Sequence, residues 1–231
     1  MDLKIFVWNA QGCGSTNFLR VTRQYVWDHR PDICVFVETR VSKSRADVVI
    51  VALNFPNSHR IEAIRFADRI WLYLFVHIHI DLLSCHFQFL HCKISTANHA
   101  SIFASFVYAS PNNRLRPDAW SSLKNLVASI SEPWIVIGDF NATLTLADRQ
   151  GCAASSLPYI KFQNMVFDCG LQDLDYNGLD FTWYQGNCSV RLDRCFGNAA
   201  WFESYPTSYL QYLLRMKSDH RPLFLSHAHS S

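Results

Sequence analysis

The chain has 231 residues, enough to bury a large core, and with 49% apolar and 17% charged residues it reads as one globular domain over 1–231 rather than a disordered chain. A net charge of +2 is too small to announce nucleic-acid binding by itself, and leaves it to local clusters of Arg. No charged stretch followed by an apolar one opens the sequence, and no apolar run reaches the ~20 residues of a spanning helix, so the expectation is an intracellular, non-secreted protein without a membrane partner. The eight cysteines are irregularly spaced without a Cys-x-x-Cys pair and are expected to be reduced thiols.

In chain order, Leu3 to Trp8 reads as a buried strand ending at Asn9, followed by a glycine-containing loop, Ala10 to Ser15. Thr16 to Arg30 has helix-spaced apolar residues, Ser15 or Thr16 to cap it and Pro31 to stop it. Asp32 to Val37 is a second buried strand, ending at Glu38. Strand, helix, strand forms a right-handed crossover if the strands are parallel, and Asn9 and Glu38 then emerge side by side. Ser42 to Leu53 suggests a short helix, Phe55 to Arg69 a polar mixture, and Ile70 to Cys92 a hairpin of long strands split near Asp81 to Ser84. His77, His79, His86 and His91, with Cys85 and Cys92, lie in this region without a zinc spacing and read as ordinary strand residues. Ile102 to Tyr108 is a further strand opening into a loop.

Pro117 to Ser131 carries the clearest helical stripe, and Pro133 closes it. Trp134 to Ile137 is a strand broken by Gly138, after which Asp139 and Asn141, two residues apart, share one side of an extended chain. A carboxylate and an amide at a buried strand's end are costly without partners, so a cleft at the sheet's edge is expected there. Leu157 to Cys169 reads as a helix stopped by Gly170. Short strands follow at Phe181 to Tyr184, Val190 to Phe196, Tyr209 to Leu214 and Pro222 to Leu225. Helices alternating with strands and hairpins indicate an α/β layer fold with mixed sheets.

Polar residues at these strand ends describe one chemistry. Asp193 and His220 are a carboxylate and imidazole for proton transfer, Asp139 a base for water, and Glu38 with Asn9 or Asp219 hard oxygen ligands suited to Mg²⁺ or Mn²⁺. Asn141 and Tyr108 offer hydrogen bonds to phosphate oxygens. Together they suit metal-assisted attack of water on phosphorus.

Trp8-Asn9, Val37-Glu38-Thr39, Val107-Tyr108, Gly138 to Ala142, Arg191-Leu192-Asp193 and Ser218 to Leu223 stand in the order found in the endonuclease/exonuclease/phosphatase (DNase I-like) superfamily, which the chain resembles over about residues 3 to 226. Phe167 to Leu171, Asp180 to Trp183 and Arg191 to Arg194 resemble most closely the endonuclease domains of plant LINE-type non-LTR retrotransposons. The resemblance implies a four-layer sandwich of two mixed β-sheets flanked by helices, with the site at one rim. It implies Asn9 and Glu38 at the metal, Tyr108 and Asn141 at the phosphate, and Asp139 at the water. Asp193 would orient His220, Asp219 would assist at the metal or leaving group, and His220 would stabilise the transition state or donate a proton.

The expected activity is Mg²⁺-dependent nicking of DNA by a monomer, in the nucleus. The alternatives are a phosphatase of the same fold acting on a small phosphoester, or an inactive nucleic-acid-binding remnant. Gln11 stands where the family often carries an acidic metal ligand, and Ala67-Asp68-Arg69 replaces a glycine pair before Ile70-Trp71. A LINE polyprotein would continue into a reverse transcriptase, so a domesticated or decaying genomic copy is expected. Arg40, Lys43, Arg45, Arg114 and Arg116 fall in loops at the expected rim, as surface charge or as phosphate contacts.

Overall fold

The computed structural model describes residues 3–41, 43–53, 60–61, 70–74, 78–96, 99–152 and 159–227. The chain opens with β1 (Leu3–Asn9), in which Leu3, Ile5 and Val7 face one way and Phe6 and Trp8 the other, both sides being buried. Helix α1 (Thr16–His29) starts where the Ser15 hydroxyl accepts from the Phe18 N–H, and ends at Arg30 in the left-handed conformation before Pro31. Strand β2 (Ile33–Val37) then lies parallel to β1, so the crossover forms as expected.

After α2 (Lys43–Leu53) and β3 (Arg60–Ile61), the apolar run from Ile70 does not make a single hairpin. β4 (Ile70–Leu74) joins the first sheet beside β2, while β5 (Ile78–His86) and β6 (Phe89–Thr96) form a hairpin in the second sheet that turns at Phe87 and Gln88. Asp81 and Ser84 mimic a turn because β5 is an edge strand whose residues are alternately exposed and half-buried, and its register shifts between Leu82 and Ser84. His77 and the Asp68-Arg69 replacement lie outside the described residues.

The second sheet continues with β7 (His99–Tyr108), α3 (Arg116–Val127) and β8 (Trp134–Asp139), where β7 and β8 are parallel. Strand β8 does not break at Gly138 but runs on through Asp139. Next come β9 (Arg149–Gln150), α4 (Ile160–Asp168), β10 (Gln172–Asp173), β11 (Tyr176–Asn177), β12 (Trp183–Gln185) and β13 (Cys188–Val190). The chain closes with β14 (Asp193–Gly197), α5 (Ala199–Ser204), β15 (Tyr209–Tyr212) and β16 (Leu223–His227).

Among the described residues, the seven-stranded sheet runs β11-β15-β16-β1-β2-β4-β3 and the six-stranded sheet β10-β14-β8-β7-β6-β5. Both are mixed, and their inner faces meet in an aliphatic core that includes Ile5, Val35, Ile135, Ile137 and Leu225. α1 and α2 cover Phe6, Trp8 and Phe36 on one outer face, and α3 and α4 cover Trp134, Phe140 and Phe196 on the other. Helix, sheet, sheet, helix is the expected four-layer sandwich. It brings the carboxyl ends of the parallel pairs β1–β2 and β7–β8 to one rim, since Asn9 at the end of β1 contacts Asp139 at the end of β8.

A third small sheet, β12-β13-β9, sits beside that rim. It corrects the reading of the cysteines: pairing of Ser189 with Gln150 brings Cys152 and Cys188 side by side, and they form a disulfide. Irregular spacing concealed the pair because the contact is made by a long-range strand pairing. The other six cysteines are free thiols, and all but Cys85 are buried.

His91 on β6 gives the fold one acid-sensitive point. The ring is buried and stacked on Phe103, with Nδ1 2.9 Å from the Ser105 hydroxyl, which also accepts from the Trp134 indole. Burial lowers its pKa from 6.5 to about 4. The unfolded chain therefore takes up this proton first, and stability is complete above pH 6.5 and falls as pH drops toward 4. The expected loss is roughly 1–3 kcal/mol in urea titrations across that window, and His91→Leu should flatten it. An unchanged pH dependence in that variant would rule His91 out as the source.

Candidate active site

Parity along the strands decides what meets at the rim. Asn9 continues the inward face of Ile5 and Val7, Asp139 that of Ile135 and Ile137, and Asp193 that of Cys195, so all three point between the sheets. Antiparallel pairing sets Asp193 directly opposite Asp139. The Thr182 hydroxyl accepts from the backbone N–H groups of Leu192 and Asp193, fixing the start of β14. Leu223 pairs with Val7, so the chain just before β16 passes over Asn9 and carries His220 into the same space.

His220 lies with Nδ1 2.8 Å from Asp193 Oδ2 and Nε2 3.9 Å from Asp139 Oδ2. The Asn9 amide donates to Asp139 Oδ2 at 2.9 Å and to Glu38 Oε2 at 3.0 Å, and lies 3.3 Å from His220 Nε2. Glu38 reaches Asn9 from a left-handed backbone conformation, φ 54°, and also pairs with Arg40. Asp139 accepts from the Asn141 N–H at Oδ1 and from the Asn141 amide at Oδ2. Asn141 is not extended as expected. Its φ of 47° turns the side chain back, and both amide hydrogens go to Asp139 and the Ala109 carbonyl. The Tyr108 ring packs in the core between the sheets, opposite Asp139 across the β7–β8 pair.

Asp139, Asp193 and His220 are all buried, and their electrostatics are interdependent. Burial, reinforced by the Asp193 charge and opposed by His220, raises the Asp139 carboxyl to about 7. Burial disfavours the His220 imidazolium, but the Asp193 and Asp139 carboxylates outweigh it and raise His220 to about 9. Near neutral pH the imidazole is therefore a cation held by Asp193, facing a carboxyl close to its own titration point.

Asp219 stands at the mouth, partly exposed. Its Oδ2 accepts from the Gln11 amide at 2.9 Å and from the Trp183 indole at 3.0 Å. These two partners were not legible in the sequence: Gln11 reads only as a missing carboxylate, and Trp183 as a strand aromatic. Ser218 stands in the Ser218 to Leu223 block, but the block itself gives it no role. Its hydroxyl donates to the Asn9 carbonyl at 2.7 Å and accepts from the His220 N–H, tying the two loops together. Arg116 is not a rim charge; it is buried, donates to the Asn141 carbonyl and lies over the Tyr159 ring. Arg114 and Arg40 are exposed, and the side chains of Lys43 and Arg45 lie outside the described residues.

One ligand atom each from Asp139, Asp193 and His220 lie within 4.8 Å of one another. The Nδ1 of His220, however, is taken by Asp193. Carboxylate oxygens of Glu38 and Asp139 both lie against the Asn9 amide nitrogen, at 3.0 and 2.9 Å, while the Asn9 amide oxygen accepts from the Gln11 N–H at 3.1 Å. Such a donor set fits a hard divalent cation rather than zinc.

The sequence model described as the Endonuclease/Exonuclease/phosphatase family matches residues 6–220. Among solved structures, the chain is similar to the endonuclease domain of TRAS1, a telomere-specific non-LTR retrotransposon, with TM-score 0.74 and 14% identity over 98% of each chain. It is also similar to the AP endonuclease LMAP from Leishmania major, with TM-score 0.77 and 15% identity over 99% of this chain and 88% of the other. A third similarity is to the 3'-5' exonuclease NExo from Neisseria meningitidis, with TM-score 0.67 and 16% identity over 96% and 98%. Curated protein sequences give no match.

Proposed function

Because the chain belongs to the Endonuclease/Exonuclease/phosphatase family, we propose that it is a divalent-metal-dependent phosphodiesterase that nicks DNA. The observation that carries this reading is the buried line Asp193–His220–Asp139, a cationic imidazole beside a carboxyl lifted toward neutrality.

In this reading Asp139, held by Asn9 and Asn141 on both oxygens, accepts the proton of the attacking water, its raised pKa matching the task near neutral pH. His220, held by Asp193, sets positive charge against the phosphate oxygens as they become more negative, and its Nε2 proton is available to the leaving oxygen. Glu38 would hold Mg²⁺ or Mn²⁺ together with Asn9, whose amide oxygen accepts from the Gln11 N–H in this structure, with Asp219 at the edge. When bound, such an ion supplies neutralisation of phosphate charge. Tyr108, at the rim end of β7, is assigned to the phosphate.

The LINE-type, plant-like origin rests on Phe167 to Leu171, Asp180 to Trp183 and Arg191 to Arg194. A nuclear site of action and a monomeric enzyme follow from this reading. The test is conversion of supercoiled plasmid to open circle in Mg²⁺ and in EDTA, beside an abasic duplex and inositol phosphates. Metal-dependent nicking supports the proposal. Turnover of the small phosphoesters with plasmid left intact would replace it by the phosphatase reading, and no turnover by folded protein would leave only binding.

A further inference from the structure

Four successive backbone carbonyls, those of Asn9, Ala10, Gln11 and Gly12, accept hydrogen bonds from two adjacent residues on the opposite loop. The Ser218 hydroxyl takes the first, and the Lys217 ammonium takes the other three, with the Gln11 carbonyl at 3.1 Å. Three donors on one ammonium meet three acceptors, so Lys217 has none left for a substrate. The N–H groups of the same loop are used as well: Ala10, Gly12 and Cys13 donate to the carbonyls of Val37, Glu38 and Thr39. The loop after β1 is thus fastened on one edge to the end of β2 and on the other to Lys217 and Ser218. Gln11, at the middle of the Lys217 contact, has a left-handed backbone with φ 45°, and its amide holds Asp219 together with Trp183. An unfavourable conformation of this kind persists only where its surroundings impose it.

We propose that Lys217 is a positioning residue: by filling the carbonyl cradle of residues 10–12 it holds Gln11 so that Asp219 is oriented beside His220. This rests on the nuclease reading for its kinetic consequence but not for its structural one. A lysine this close to a nuclease site would by default be a phosphate contact. The two roles differ in what they change. A lysine that binds phosphate contributes to DNA affinity and to its salt dependence, and removing it changes the salt slope by about one. A positioning lysine contributes to turnover alone, because misplacement of a reacting group by about an ångström costs up to roughly a hundredfold.

The experiment compares wild type, Lys217→Met and Lys217→Arg in plasmid nicking and in DNA-binding salt titrations. A ¹H–¹⁵N spectrum follows the Trp183 indole N–H, which donates to Asp219 and reports its orientation without turnover. For Lys217→Met, kcat should fall about tenfold to a hundredfold with KM and the salt slope unchanged, and the Trp183 indole signal should move. Lys217→Arg, which keeps the charge and the donors, should recover most of both. Weaker binding with a shallower salt slope and an unmoved indole signal would overturn the proposal in favour of a phosphate contact. If Lys217→Met does not fold, Gln11→Ala breaks the same link one step later and should move the same signal; an unmoved signal there also overturns it. A wild type that does not nick would refute the nuclease reading, while the indole signal would still decide the role of Lys217.

Discussion

Replacing His220 with alanine should lower the nicking rate roughly 10²–10⁴-fold, the range seen when a positioned acid or base is removed. Two losses combine. The cation that faces the phosphate disappears, and Asp139 loses the neighbour that lowers its pKa, so a carboxyl already at about 7 moves further up and is protonated at neutral pH. Asp139 can then remain in its buried site as the neutral acid, which is why the variant should stay folded.

The same pair predicts a bell-shaped pH profile. Activity needs Asp139 ionised and His220 protonated, so it rises as pH passes about 7 and falls as pH passes about 9, both limbs belonging to the coupled pair. Asp193→Asn keeps the shape of the contact to Nδ1 but removes the charge that does most to raise His220. The alkaline limb should therefore move to lower pH. A residual rate in His220→Ala within about threefold of wild type would remove the imidazole from the reaction, where a contribution of at least about a hundredfold is expected.

The polar strand ends were legible because burying both faces of β1, β2 and β8 leaves unbroken apolar runs, and each run stops at a residue that apolar surroundings would not accept. Asn9, Glu38 and Asp139 stand out that way. The Ser15 cap and Pro31 mark α1 for the same local reasons. What could not be read is what depends on register or on a second chain segment. The edge position of β5 makes its solvent-facing residues look like a turn. The Cys152–Cys188 bond follows from β9 meeting β13, a pairing of short strands with no periodic signal of their own. Extended chain would place Asn141 on the same side as Asp139, but hydrogen bonding to Asp139 and Ala109 holds it in the left-handed region instead. Gln11 and Lys217 carry no local signature at all, since their partners are more than two hundred residues away in sequence.

Gly138→Ala should destabilise the protein by roughly 3–5 kcal/mol, the range reached when a backbone conformation and a steric clash fail together. Gly138 does not end its strand. It lies within β8 at φ +142°, opposite Val107, and a Cβ there would sit 2.1 Å from the Val107 carbonyl oxygen and 2.9 Å from its carbonyl carbon. Those atoms belong to the backbone of the neighbouring parallel strand, so no side-chain rotation relieves the contact. β7 and β8 would have to separate where they carry Tyr108 and Asp139. The Ala109 N–H donates to the Asp139 carbonyl at 2.8 Å, so a shift of β8 also loosens the turn that brings Asn141 back onto the carboxylate. Stability in urea and nicking activity should fall together in this variant, whereas His220→Ala should lose activity at nearly unchanged stability. A Gly138→Ala protein within about 1 kcal/mol of wild type would mean that β7 and β8 can part at the rim without cost, and a rigid seam between them could no longer explain how Asp139 is held.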